Sequence, residues 1–300
     1  MKILIAGATG LIGKSLVERC MEEGILVNYL TTRKEKIKTE PNIQGYYWNP
    51  SKGIIDVKAL DGVISVVNLA GASISKRWTP SYKRTILKSR TEPAQLLLKV
   101  LKESTNTVTQ YISASGISIY PSSLDELYTE KNTKIASSFL GKIVQVWEAS
   151  ADTFSTIGIK VSKVRTGIVL STEGGALPQM VKPIKMGVGA PLGNGEQWQS
   201  WIHINDIVGI YMHLLKNDLS GVFNAVSPNP VTNKRLTHMI ADILDKNLWM
   251  PNVPAFLLRL VLGKRASLAL ESQLVSAEKI QESGYNFEYV NPENALSDLL

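Results

Sequence analysis

A glycine turn close to the start of the chain constrains it most. Gly7-Ala8-Thr9-Gly10-Leu11-Ile12-Gly13 follows a short apolar run, residues 2–6, and opens a segment, 11–23, whose apolar positions recur at helical spacing. Three glycines between a strand and a helix have three tasks. The first permits a tight turn, the second clears the backbone for a close-lying pyrophosphate, and the third lets the helix pack against the strand. The free amides and positive dipole end of the helix then face that anion. The motif predicts a dinucleotide site to which Gly7, Thr9, Gly10, Leu11, Ile12 and Gly13 contribute.

The following residues repeat the same unit. Apolar and β-branched runs at 26–31, 45–48, 62–69, 109–114 and 160–166 alternate with helical patterns at 81–101 and 139–154. Such alternation specifies an α/β doubly wound parallel sheet, a Rossmann domain, covered by helices on both faces. The alternation lapses from Ser171, and glycine- or proline-rich loops follow at 174–175, 187–191 and 193–195. A strand-like stretch, 200–204, leads into a helix for which Asp206 reads as the N-cap. After Ser227-Pro228-Asn229-Pro230 the chain ends in a leucine-rich tail punctuated by Pro251 and Pro254. The expected organisation is a Rossmann domain over 1–172 with a returning segment 202–226, and a smaller C-terminal lobe from 173–201 and 227–300. A substrate cleft belongs between them, at the carboxyl ends of the strands, with 187–195 and 197–200 as a flexible wall.

Composition removes several classes. With 44% hydrophobic residues in 300 the chain buries a sizeable core, yet no stretch reaches the roughly 18 apolar residues of a membrane span. The apolar run at 3–6 is too short for a signal segment, so a cytoplasmic protein without a membrane partner is expected. A lone cysteine, Cys20, forms no internal disulfide, and with only three histidines a structural zinc site is not expected. The net charge of +7 suits an anionic ligand, but the most basic stretch, 33–38, carries no interleaved aromatics on which bases could stack. No nucleic acid is expected as partner. A small-molecule substrate is.

Cofactor choice is read after the second strand. An NAD-preferring site places a carboxylate there for the ribose hydroxyls, whereas this chain reads Thr31-Thr32-Arg33-Lys34. Arg33 can grip a 2′-phosphate with its planar fork and Thr32 can add a hydroxyl, which favours NADP. The fourth strand ends in Asn68-Leu69-Ala70-Gly71, small residues that let a ligand approach across the sheet.

Taken end to end, these stretches resemble the epimerase family of atypical short-chain dehydrogenase/reductases, relatives of the extended NAD-dependent epimerase/dehydratases with a small C-terminal domain of unknown function. The resemblance rests on the glycine turn, Arg33, residues 68–71, the basic run from Arg77 to Arg90, Trp147-Glu148, Gly167-Ile168-Val169-Leu170, Trp201-Ile202-His203-Ile204-Asn205-Asp206, Pro230-Val231-Thr232-Asn233 and Val253-Pro254 with Leu262-Gly263. It implies NADP contacts at Thr32, Arg33, Leu69, Ala70, Arg90 and Val169, to which the small-residue strand end adds Gly71. Arg90 also makes sense alone, as a cation on the helix after strand four that can face the pyrophosphate.

For catalysis the same resemblance implies a serine near the end of strand five and a Tyr-x-x-x-Lys pair, in which the lysine lowers the tyrosine pKa. The serine is present: Ser113-Ala114-Ser115-Gly116-Ile117-Ser118-Ile119-Tyr120 supplies Ser115 as the candidate catalytic residue. The pair is not. Counting back from Glu148, the tyrosine position falls on Phe139 or Leu140 and the lysine position on Ile143 or Val144, while Lys142 lies on another helical face. His203 reads as a core or interface histidine, Tyr120 as a residue lining the cofactor pocket, and Trp147-Glu148 as packing with a polar tether. Two functions remain open: an NADP(H)-dependent oxidoreductase or sugar-nucleotide epimerase of atypical mechanism, and an NADPH-binding sensor or regulator without turnover, as in cell division.

Overall fold

The computed structural model describes residues 1–300. Its first half contains β1 (Lys2–Ala6), α1 (Leu11–Glu22), β2 (Leu26–Thr31), β3 (Ile43–Asn49), β4 (Ser65–Asn68), α2 (Pro80–Glu103), β5 (Gln110–Gly116), α3 (Phe139–Asp152) and β6 (Lys160–Thr166). The second half adds β7 (Ile168–Leu170), α4 (Leu177–Lys185), β8 (Trp201–His203), α5 (Ile204–Lys216), β9 (Gly221–Ala225), α6 (Asn233–Ile243), α7 (Ala255–Leu262) and α8 (Pro292–Leu299), with shorter turns and strands between. The main sheet runs β9-β6-β5-β4-β1-β2-β3, and these seven strands are parallel. A two-residue strand, Thr39–Glu40, closes the outer edge antiparallel to β3.

Strand β1 shows why this sequence makes a covered sheet. Ile3, Leu4, Ile5 and Ala6 are all fully buried. Successive side chains of a strand point to opposite faces. Ile3 and Ile5 enter a core with Leu16 and Cys20 of α1 and Ile207, Ile210 and Leu214 of α5. Leu4 and Ala6 enter the opposite core with Ala94, Leu97 and Leu101 of α2. A strand apolar on every residue fits only between two helical layers. Register then aligns Leu30, Ala6, Asn68 and Ser113 in one row, so the carboxyl ends of β2, β1, β4 and β5 share an edge.

The expected segment at 62–69 shortens to β4 because Gly62 holds a positive φ of 70° and belongs to the preceding turn. The expected helix at 139–154 ends at Asp152, and a 3₁₀ turn, Thr153–Ile157, follows. Asp206 is not the cap of α5. His203 is: its Nδ1 accepts from the Asn205 amide at 3.1 Å. Asp206 is instead buried in the first turn and accepts from the amides of Glu288 (2.8 Å) and Tyr289 (2.9 Å) and from the Tyr285 hydroxyl (2.9 Å). A carboxylate on a helix N-terminus would satisfy a cap equally well; here the tail's amides compete for it and win.

The smaller lobe has its own core. Leu170, Leu177, Val181, Ile184, Trp201, Leu236, Ile240 and Leu296 pack together, drawing α4, α6 and α8 around the parallel pair β7–β8. Segment 202–226 supplies α5 and then β9, whose pairing with β6 returns the chain to the main sheet. After β5 a short strand, Leu127–Tyr128, pairs with Leu274–Val275, and Tyr128 and Val275 are buried in the same core as Ile3 and Ile5.

Candidate nucleotide-binding site

The glycine turn sits at the shared strand edge, and its three glycines differ physically. Gly7 has φ +87°, and a Cβ on it would lie 2.8 Å from the Leu69 carbonyl. Gly13 is buried, and a Cβ there would lie 2.2 Å from the Gly7 carbonyl oxygen. Gly10 has an ordinary extended backbone, φ −83° and ψ 174°, and is exposed. Its backbone conformation does not require glycine, although a Cβ there would lie 3.3 Å from the Gly7 carbonyl oxygen, and the missing side chain leaves the approach to the amides of α1 open. No side chain caps α1 and no carboxylate occupies its first turn, so its free amides remain available to an anion. Thr9 is exposed beside them, while Leu11 and Ile12 are half-buried.

Two further walls meet this turn. The backbone of Leu69 and Ala70 approaches Gly7 so closely that only glycine fits, and Ala70 is held there by the Asn68 side chain, which accepts from its amide at 3.2 Å. The other wall comes from β7: Leu11 and the Val169 carbonyl flank the same point at Gly175, at 3.4 and 3.3 Å from a Cβ built there. Lys14 Nζ donates to Glu173 at 2.8 Å, tying this loop to α1. Leu69, Ala70 and Val169, distant in sequence, are thus brought around the glycine turn.

Two arginines carry the charge. Arg33 follows β2, whose end lies next to β1 in the sheet, and its guanidinium is exposed with no hydrogen-bond or ion-pair partner in the protein. Its backbone is steadied by Thr31 Oγ1, which accepts from the Arg33 amide at 3.2 Å; Thr32 is exposed alongside. Arg90 lies against Gly71, where a Cβ would come within 3.2 Å of the guanidinium carbon. It donates to the carbonyls of Ala72 (3.2 Å) and Ile86 (3.0 Å) and stacks on Trp147 with the guanidinium carbon 4.9 Å from the ring centroid. No carboxylate balances it, and burial pushes its pKa down to about 10. A half-buried cation without a counter-ion can pair with an anion that reaches it. Beside it the Trp147 indole N–H is buried and unpartnered.

The residues considered for catalysis fall elsewhere. Ser115 is buried, and its hydroxyl donates to Glu148 Oε1 at 2.6 Å. Glu148 also receives Arg165 as a fork, Nε to Oε1 at 2.8 Å and Nη2 to Oε2 at 2.9 Å. Arg165 Nη1 donates to the Tyr120 hydroxyl (2.8 Å), which donates to Asn224 Oδ1 (2.8 Å). Burial raises the Glu148 pKa, but the hydrogen bonds and charge of Arg165, the Ser115 bond and Lys163 outweigh it, and the net shift is downward. Tyr120, expected to line the cofactor pocket, is a fully buried strut in this network. A side cavity of about 360 Å³ borders it, lined by Tyr120, Lys134, Gln145, Glu148, Asp152 and Arg165 and by none of the glycine-turn residues.

Glu148 shares a face of α3 with one pair of candidate relay positions. Leu140 and Val144 precede it by eight and four residues, so all three share one stripe of the helix. Both expected placements of the pair, Phe139 with Ile143 and Leu140 with Val144, are apolar, and Leu140, Ile143 and Val144 are buried, so neither supplies a tyrosine or a lysine. Ser118, which sequence reasoning passed over, sits next to this stripe: a Cβ on Gly116 would lie 3.6 Å from its Oγ and 3.8 Å from Val144 Cγ2. Ser118 is half-buried and forms no side-chain hydrogen bond within the protein. Only its spacing from the strand end could have singled it out. Lys142 is exposed. His203 is buried with Nε2 3.3 Å from Asp298 Oδ2 and its ring tilted 30° against Tyr289, centroids 3.8 Å apart, a joint between the start of α5 and the C-terminal tail.

A model of the NAD dependent epimerase/dehydratase family matches residues 3–226. The chain belongs to that family. The C-terminal residues 253–299 match a domain of unknown function, DUF1731. This epimerase-family chain is 36% identical over 300 residues to an epimerase family protein of Staphylococcus aureus (strain NCTC 8325 / PS 47), covering 99% of this chain and 98% of the relative. It is 35% identical to one of Staphylococcus haemolyticus, covering 100% and 99%. Among solved structures it resembles the human epimerase family protein SDR39U1 (isoform 2), determined with NADPH, at TM-score 0.86 and 29% identity, covering 100% of this chain and 99% of that one. UDP-glucuronic acid 4-epimerase of Bacillus cereus, at 16% identity and TM-score 0.79, shares the fold.

Proposed function

We propose that this epimerase-family protein binds NADP(H) and acts as an oxidoreductase or epimerase on a small-molecule substrate, without the tyrosine–lysine relay. The observation that carries the cofactor choice is Arg33: an unpaired guanidinium at the end of β2, with threonines and no carboxylate beside it. The human relative determined with NADPH, similar over its whole length, supports the same reading. The residues fit the group. The amides of α1 behind Gly10 would hold the pyrophosphate, Arg90 would balance its charge, Leu69 to Gly71 and Val169 would flank it, and Thr32 and Arg33 would take the 2′-phosphate. Bound there, a nicotinamide supplies hydride exchange. The protein would orient the substrate in the cleft and supply a proton, for which the free Ser118 hydroxyl is placed better than Ser115, whose proton is committed to Glu148.

Charge-assisted hydrogen bonds contribute about 1.5–3 kcal/mol, so NADPH should bind at least about tenfold more tightly than NADH. Calorimetric titration tests this: Arg33→Ala should weaken NADPH while leaving NADH nearly unchanged, and Arg33→Asp should reverse the order. Equal affinities in the wild type would overturn the assignment. A second reading, an NADPH-binding sensor without turnover, is favoured by the apolar Leu140 and Val144. It predicts tight NADPH binding with no loss of absorbance at 340 nm, in roughly stoichiometric assays, against any carbonyl or nucleotide-sugar substrate.

A further inference from the structure

Helix α7 is the most exposed apolar feature of the molecule. Phe256 (66% exposed), Leu260 (79%) and Val261 (75%) stand out from it with Leu257, and among its residues only Leu258 is buried. Positions 256, 257, 260 and 261 fall on one stripe of a helix. The surrounding segment, 246–270, carries Lys246, Arg259, Lys264 and Arg265 and no Asp or Glu, and it also exposes Trp249 (71%). Its position is fixed: Asn252 donates to the Asn194 carbonyl (3.1 Å), Gln197 donates to the Ala269 carbonyl (2.9 Å), and Arg265 donates to the Ser75 carbonyl (2.6 Å) in the loop after β4. The apolar stripe is therefore presented outward from a docked element at the junction of the two lobes.

We propose that this stripe and its cationic rim dock the protein on an anionic membrane surface. Side chains exposing two-thirds to four-fifths of their area stand proud, as a bilayer contact requires, whereas a pocket for a small ligand buries its walls. A second copy fits less well: a two-fold contact through this stripe would set Arg259 and Lys264 against the same cations, with no carboxylate in the segment to pair them. Apolar side chains entering the headgroup boundary beside Lys and Arg match the two terms that drive interfacial binding to acidic lipid. No helix is long and apolar enough to cross a membrane, so the contact is peripheral.

Vesicle flotation of the full chain tests the proposal, using equal parts phosphatidylglycerol and phosphatidylcholine against phosphatidylcholine alone. The wild type should bind the anionic vesicles at least about tenfold more strongly than the neutral ones. Phe256→Ser with Leu260→Ser, and separately Arg259→Glu with Lys264→Glu, should each reduce binding by about tenfold or more. All four positions are exposed, so both variants should keep the wild-type melting temperature, which checks that the fold survives. Absence of flotation on anionic vesicles would overturn the proposal. So would binding that the serine pair leaves intact, or a lipid-free dimer that the serine pair dissolves while wild type ignores vesicles.

Discussion

Replacing Glu148 by Gln probes the buried network at the end of β5. Glu148 and Arg165 are each more than nine-tenths buried, with 8% and 9% of their side-chain surface exposed. The carboxylate takes three donors: two from Arg165 and one from Ser115. Glutamine has nearly the same shape but one acceptor oxygen and an NH2 that faces donors, so Arg165 is left as an under-compensated buried cation. Removing one member of a buried pair costs about 3–5 kcal/mol, a fall in Tm of roughly 5–8 °C for a chain of this size. Replacing both residues by Met should cost less than Glu148→Gln alone, because no charge is then stranded. The pH dependence has a definite sign. The folded-state pKa of Glu148 lies below its ordinary value of 4.5, so its contribution is fully present above about pH 4.5 and is lost as pH falls through the folded pKa. Urea unfolding from pH 7 to acid should show a constant gap between wild type and variant down to about pH 5, narrowing below. A Glu148→Gln variant within about 1 kcal/mol of wild type at pH 7, or a double variant less stable than the single, would refute this account.

Three other outcomes follow from the same geometry. Gly10→Val should fold, since its φ and ψ suit valine and the added Cβ meets only the Gly7 carbonyl oxygen at 3.3 Å, yet lose NADPH binding in a fluorescence titration; Gly13→Ala, with its Cβ 2.2 Å from that oxygen, should instead lose stability by about 1–3 kcal/mol or more. Ser115→Ala should lower stability by about 1–3 kcal/mol in urea, whereas Ser118→Ala, whose hydroxyl bonds to nothing in the protein, should melt like wild type. Asp206→Asn should remove hydrogen-exchange protection at Glu288 and Tyr289, whose amides it accepts, while leaving cofactor affinity unchanged; retained protection would show that the tail docks without it.

The amino-acid sequence alone determined most of the elements and the glycine turn and strand ends at which we propose that a nucleotide binds. Strand β1, helix α1 and the turn between them are local: the glycines lie within seven residues, and Gly13 packs on Gly7 itself, although Gly7 also meets the distant backbone of Leu69. Arg33 was legible for the same reason, because the end of a second strand beside the first is a topological consequence of the βαβ unit. The position of a side chain inside a buried polar network is not local. Ser115, Tyr120, Glu148, Arg165 and Asn224 span over a hundred residues, and which hydroxyl ends on which carboxylate depends on the register of β5 against β6 and the rotation of α3. Sequence patterning could state that Ser115 is a serine at a strand end; only packing decided that its proton points to Glu148 and that Ser118 is left free. Asp206 is the same case. A carboxylate at a helix start satisfies the helix or any other amides that reach it, and the tertiary structure delivered those of Glu288 and Tyr289, about eighty residues away along the chain.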